Sequence, residues 1–212
     1  MLLLIATAIA LGMLHTVAPD HLAAVSVFVS RRPHWRDAAA YGARWGFGHS
    51  LSIVLVGGVA ALFAWRIPHA LEPRLEQAVG VMLVVLGVLA WRRCAGATHA
   101  SHDNAASAHT HAHPHAHDDG GALLGIGMMH GLAGSGALVA ALPAAAVRTP
   151  MEVMTYLASF GAGTIVAMAA LAMLLGGALR VATTRAARLQ VVLLRGAAAL
   201  SVVVGGWWVA AA

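Results

Sequence analysis

Residues 12–21 read GMLHTVAPDH and residues 127–136 read GMMHGLAGSG, so Gly12, Met13, His15 and Ala18 recur as Gly127, Met128, His130 and Ala133, each 115 positions further on. The same offset carries Gly46 and Gly48 of WGFGH onto Gly161 and Gly163 of FGAGT. Later stretches align more loosely: Arg74 and Leu75 with Arg188 and Leu189, and VVLG at 84–87 with VVVG at 202–205, the last at an offset of 118. A duplication in which each half sets a histidine inside an apolar stretch, beside a proline or glycines, points to a substrate site between two halves of a membrane transporter.

Composition fixes the solvent. The chain is 60% hydrophobic and only 10% charged, with a mean hydropathy of +0.79, against about 25% charged residues in a soluble domain. Six apolar stretches approach or exceed the roughly 20 residues a spanning helix needs: about 2–29, 42–64, 75–91, 122–147, 153–179 and 189–211. They are long, continuous and rich in Ala, Leu and Val, which predicts an all-α integral membrane protein and excludes a β-barrel of short alternating strands. The first stretch has no basic residues ahead of it and contains the first copy of the repeat, so it is expected to stay as a span and not to be removed as a signal peptide.

The basic excess is all arginine; the chain has no lysine. With alternating loops, those after spans one, three and five hold Arg31, Arg32, Arg36, Arg92, Arg93, Arg180, Arg185 and Arg188, and those after spans two and four hold Arg66, Arg74 and Arg148. The positive-inside rule then sets the first group in the cytoplasm and both termini outside, a multi-pass arrangement in the cell inner (plasma) membrane. The lipid bilayer absorbs the high isoelectric point, leaving no reason to expect a nucleic-acid partner.

The repeat unit is three helices, so its two copies enter the membrane from opposite sides. The expected organisation is a first repeat over 1–92, a disordered linker over 93–121 and a second repeat over 122–212: a 3+3 inverted repeat with broken first and fourth helices. The linker carries His99, His102, His109, His111, His113, His115 and His117 among Ala, Ser, Thr, Pro, Asp and Gly and has no apolar run to build a core. It is placed in the cytoplasm, where His109, His111, His113, His115 and His117 read either as a low-affinity metal buffer or as low-complexity drift.

Four histidines fall inside spans, His15, His21, His49 and His130, and each lies in a Gly- or Pro-containing motif. Pro19 has no amide hydrogen and clashes with the preceding turn, so the helix is expected to break there and free carbonyls near His15 and Val17. In an unbroken helix His15, Asp20 and His21 spread over roughly 240° and cannot grip one ion; a break brings them together. An ionised Asp20 in the bilayer costs about 3 kcal/mol on insertion scales and needs a partner. His49 follows Gly46 and Gly48, which predicts a tight helix crossing aimed at the same place. In the second half Gly131, Gly134 and Gly136 stand in for proline, and Ser135 stands where Asp20 would by the offset. Three or more imidazoles with one carboxylate suit nickel, cobalt, copper, zinc or iron better than calcium or magnesium. The candidate metal ligands are thus His15, Asp20, His21, His49 and His130, with Ser50 and Ser135 as auxiliary groups. Each has a plain structural alternative: a membrane-end cap for Asp20 and His21, and helix packing for His49 and the glycines.

HTVAPDH at 15–21, GHS at 48–50 and MHGLAGS at 129–135 together resemble the nickel/cobalt permeases, in particular their shorter NicO or UreH-like branch. That resemblance implies transport of Ni²⁺ or Co²⁺ as substrate, no tightly bound cofactor, and His15, Asp20 and His21 as selectivity elements. Ala18 departs from it, because high-affinity members carry a further acidic residue there; a His-rich loop also resembles that of some exporters, so direction stays open. Three other functions compete. An intramembrane zinc-dependent hydrolase would use the same ligands but, on this reading, has no second intramembrane carboxylate as general base. A urease-type nickel accessory membrane protein, working with a nickel-enzyme maturation system, would supply metal without pumping it. Dithiol electron transfer fails because Cys94 is the one cysteine. The chain is therefore not expected to be an enzyme; a homo-oligomer is possible on this reading, and with no lysine there is no phosphate-binding Gly-Lys-Ser/Thr loop for ATP.

Overall fold

The structure, a computed structural model, describes residues 1–29, 34–63, 71–103, 119–140, 149–185 and 187–212. Among them the chain forms seven helices: α1 (Leu2–His15), α2 (Pro19–Val29), α3 (Trp35–Leu62), α4 (Glu72–Asp103), α5 (Asp119–Ala140), α6 (Pro150–Arg185) and α7 (Ala187–Ala211). Three segments are long and apolar enough to cross a membrane, Pro73–Arg92, Pro150–Val181 and Val191–Ala211, and α1 with α2 makes a fourth as a bent pair. This is an all-helical, multi-pass membrane protein, as composition requires. α4 continues to Asp103, into the stretch assigned to the linker; residues 104–118, with His109, His111, His113, His115 and His117, lie outside the described residues.

The break at Pro19 forms as expected. The chain bends by 64° between α1 and α2, because Pro19 has no N–H to continue the ladder of α1 but suits the first position of α2. The His15 carbonyl is nevertheless not left free: Ala18 N–H donates to it at 3.1 Å, and Val17 N–H donates to the Leu14 carbonyl at 3.1 Å. A tight last turn thus satisfies the chain across the break.

The break expected at the glycines of the second half does not form among the described residues. α5 runs unbroken through Gly131, Gly134 and Gly136, since glycine, unlike proline, keeps its amide hydrogen and holds its place in the ladder. The glycines serve proximity instead. A Cβ on Gly127 would run into the Trp45 carbonyl and one on Gly131 into that of His49, so α5 lies backbone to backbone on α3.

These approaches come in reciprocal pairs. Gly127 (α5) sits on the Trp45 carbonyl (α3) as Gly12 (α1) sits on the Phe160 carbonyl (α6); Gly48 sits on Leu124 as Gly163 sits on Ile9. Each contact is the other displaced by 115 positions with the partners exchanged. In α4 and α7, Gly87 meets the Ala198 carbonyl and Gly205 that of Gly80, the same exchange at 118. Tyr156, Leu157 and Phe160 of α6 pack with Ala8 and Leu4 of α1 and Ile53 of α3, while Gly58 of α3 approaches Met154. The starts of α1, α4 and α6 and the ends of α3 and α7 therefore share one end of the bundle with both termini. The main core lies toward the other end, where Ala24, Val25, Val29, Trp45, Met82, Leu83 and Met168 pack together.

Candidate metal site

Four helices bring the five candidate residues to one place. His15 closes α1, Asp20 and His21 open α2 beyond the bend, His49 comes from the middle of α3 and His130 from α5. His21, His49 and His130 are 1%, 0% and 3% exposed, and Asp20 is 8% exposed. The ring of His21 lies 4.7 Å from that of His15, 5.0 Å from His49 and 4.4 Å from His130, centroid to centroid, which puts it at the centre.

Asp20 holds two of these rings. His130 Nε2–H donates to Asp20 Oδ2 at 2.8 Å, and His21 Nδ1–H donates to Asp20 Oδ1 at 3.1 Å. The carboxylate thereby gains the partners its burial demands, and it fixes the tautomers of both rings. The nitrogens turned away from it, His21 Nε2 and His130 Nδ1, are buried without a hydrogen-bond partner, as is His49 Nδ1. A buried imidazole nitrogen without a partner is a standing cost of about 1–3 kcal/mol unless a ligand meets it.

The second group of ligands is all imidazole. His15 Nε2 and His49 Nε2 are 3.2 Å apart, within the span of about 3.0–3.4 Å that two nitrogens each about 2.1 Å from one metal ion would show at square or tetrahedral angles. Ligand atoms of His15, His21 and His49 lie within 4.8 Å of one another, as do those of Asp20, His21 and His130. The two triads share His21.

Around them is a cavity of about 340 Å³, lined by His15, Asp20, His21, His49 and His130 and, beyond them, by Glu76, Tyr156, Phe160 and Trp208. Sequence reasoning counted no second intramembrane carboxylate; Glu76, one turn before Val79 on the cavity face of α4, is one. It also passed over Tyr156, although Tyr41 stands 115 positions before it as a signal. Trp45 packs edge-on to His130 at 5.5 Å and lies 5.7 Å from His21, walling the cluster on the core side. Ser50 is not in either triad: its hydroxyl donates to the Gly161 carbonyl at 3.1 Å and ties α3 to α6. The Ser135 side chain is outside the described residues.

Comparison with known proteins agrees with this architecture. Residues 7–207 match the family described as cytochrome C biogenesis protein transmembrane region. The urease accessory protein UreH of Bacillus sp. (strain TB-90) is 33% identical over 171 residues, covering 78% of this chain and 73% of that protein. Chloroplast proteins FOR GROWTH AND FERTILITY 2 and 1 of Arabidopsis thaliana are 28% and 30% identical over 168 and 166 residues; the chain covers 45% of the length of each. No solved structure matches it. From the family match over nearly its whole length, and from its similarity to UreH, the chain belongs to the cytochrome C biogenesis protein transmembrane region family as a UreH-like member.

Proposed function

We propose that this protein is a permease for divalent transition-metal cations, Ni²⁺ or Co²⁺, which cross by alternating access through the His/Asp cluster. One observation carries the reading: three buried imidazole nitrogens without partners, His21 Nε2, His49 Nδ1 and His130 Nδ1, belong to a single cluster gathered from three helices. Stripped of part of its water, the cation is held by neutral imidazoles of His15, His21 and His49, a set suited to Ni²⁺ and Co²⁺. Asp20 supplies the negative charge from behind His21 and His130, and rotation of His21 offers the ion a second position between Asp20 and His130. Protons compete for the same nitrogens, so acid weakens binding. The reciprocal glycine contacts support an inverted 3+3 repeat of six spans, and such repeats exchange conformations around one midplane site.

The similarity to UreH favours a second reading, a nickel accessory membrane protein that delivers metal to an enzyme-maturation system without moving it across the bilayer. Cytochrome biogenesis chemistry by dithiol exchange is disfavoured, since Cys94 is the single cysteine.

Flux separates the two readings. Purified protein in detergent is expected to bind Co²⁺ with a visible d–d spectrum, and proteoliposomes to pass Ni²⁺ or Co²⁺ down a gradient. His49→Ala should lower both affinity and flux at least tenfold. Binding without flux in the wild type would leave the accessory reading standing alone; neither binding nor flux would remove both.

A further inference from the structure

The cavity continues past the histidines toward one end of the bundle. Phe160 packs on His15 with ring centroids 5.5 Å apart, and Tyr156, one turn earlier on α6, lies about 6 Å nearer the start of that helix. Its side chain is 1% exposed and its hydroxyl has no hydrogen-bond partner, although it lines the cavity. Glu76 lines the same cavity from the start of α4 and is partly exposed, whereas the histidines beyond it, His15 apart, are buried. Both helix starts lie at the end that carries the termini.

We propose that Glu76 and Tyr156 form an entry station at which a hydrated divalent cation from the terminus-bearing end is captured before it reaches His15. The inference rests on the permease reading above. A carboxylate at the mouth of a low-dielectric cavity concentrates cations there, and the field is focused along the cavity. The cation's own waters give the Tyr156 hydroxyl the partner it lacks, so the ion sheds its shell in two stages. The station is one-sided. By the offset of 118 that relates the contacts of α4 and α7, Glu76 corresponds to Leu194, so the corresponding position carries no charge and capture is built into one end.

The test is Co²⁺ flux into proteoliposomes of defined orientation, with Glu76→Gln, Glu76→Asp and Tyr156→Phe beside the wild type. With Co²⁺ offered from the terminus side, Glu76→Gln should raise the half-saturating concentration severalfold, because the carboxylate that concentrates the divalent ion at the cavity mouth is gone. Added salt should raise the wild-type value toward it. Tyr156→Phe should move it in the same direction, and Glu76→Asp should restore it. The rate at saturating Co²⁺, flux started from the opposite side, and the spectrum of bound Co²⁺ should stay as in the wild type; the unchanged spectrum also certifies the fold. Equal half-saturating concentrations for Glu76→Gln and wild type, or an equal change from both sides, would overturn the entry station while leaving the permease intact. A wild type that passes no Co²⁺ would remove both.

Discussion

At Asp20 two demands meet in one side chain. A carboxylate within a spanning segment must be compensated, and here two imidazole N–H groups compensate it, His130 at 2.8 Å and His21 at 3.1 Å. The same bonds turn the lone pairs of both rings away from it. Asp20→Asn keeps the shape but removes the charge and can accept only one of the two N–H bonds; Co²⁺ affinity is expected to fall about 10- to 100-fold, read by titration of the d–d band. Asp20→Ala leaves two buried donors without acceptors and should cost about 1–3 kcal/mol for each, seen as a lower unfolding temperature in detergent without metal. Unchanged affinity in Asp20→Asn would show that the charge has no part in binding. The residues of this cluster were legible because histidine and aspartate are costly in an apolar span. Glu76 and Tyr156 were not: a glutamate at a span's start and a tyrosine near a helix end read as ordinary interface residues, and only the folded bundle, in which α4 packs on α7 while α6 packs on α1 and α3, sets them on one cavity.

At the level of the helices, proline and glycine turn out to be different devices although both flank the histidines that recur, His15 and His130. Pro19 breaks the first span and deflects α2 by 64° at the cluster. Gly127 and Gly131 leave α5 continuous and bring its backbone onto α3 at Trp45 and His49. Sequence alone cannot tell a loosening glycine from a packing glycine, because the answer depends on what stands opposite. Gly131→Ala must push α5 off the His49 carbonyl, and overpacking of this kind costs about 1–3 kcal/mol; it should also weaken Co²⁺ binding, since His49 and His130 flank that contact. Gly125→Ala, two residues before Gly127 on the same helix, meets nothing within 4 Å and should stabilise by about 0.5–1 kcal/mol through helix propensity. Thermal unfolding of the two variants side by side checks this. Equal effects would mean that α5 is not pressed against α3 as described.

Across the whole molecule the glycine contacts come in symmetric pairs and the voids do not. The cavity of about 340 Å³ toward the termini is lined by Tyr156 and Phe160, and their counterparts 115 positions earlier, Tyr41 and Trp45, line a void of only about 10 Å³ toward the other end, beside Gly42 and Ala172. Related walls thus enclose an open space at one end and a closed one at the other. On the permease reading this is one of two states, and exchanging the roles of the halves yields the second. In a Cys94→Ala background, Leu11→Cys, on the open cavity, should react quickly with a membrane-impermeant thiol reagent offered from the terminus side, and Ala172→Cys slowly from the opposite side. Gly42→Ala forces bulk against the Met168 carbonyl and the Ala172 side chain, 2.8 Å from the added carbon, and so works against the closed end. Added to each reporter, it should speed labelling of Ala172→Cys and slow that of Leu11→Cys, because widening one end of a two-state bundle closes the other. Labelling that rises at both positions would mean local loosening instead, and the two ends would then not be coupled.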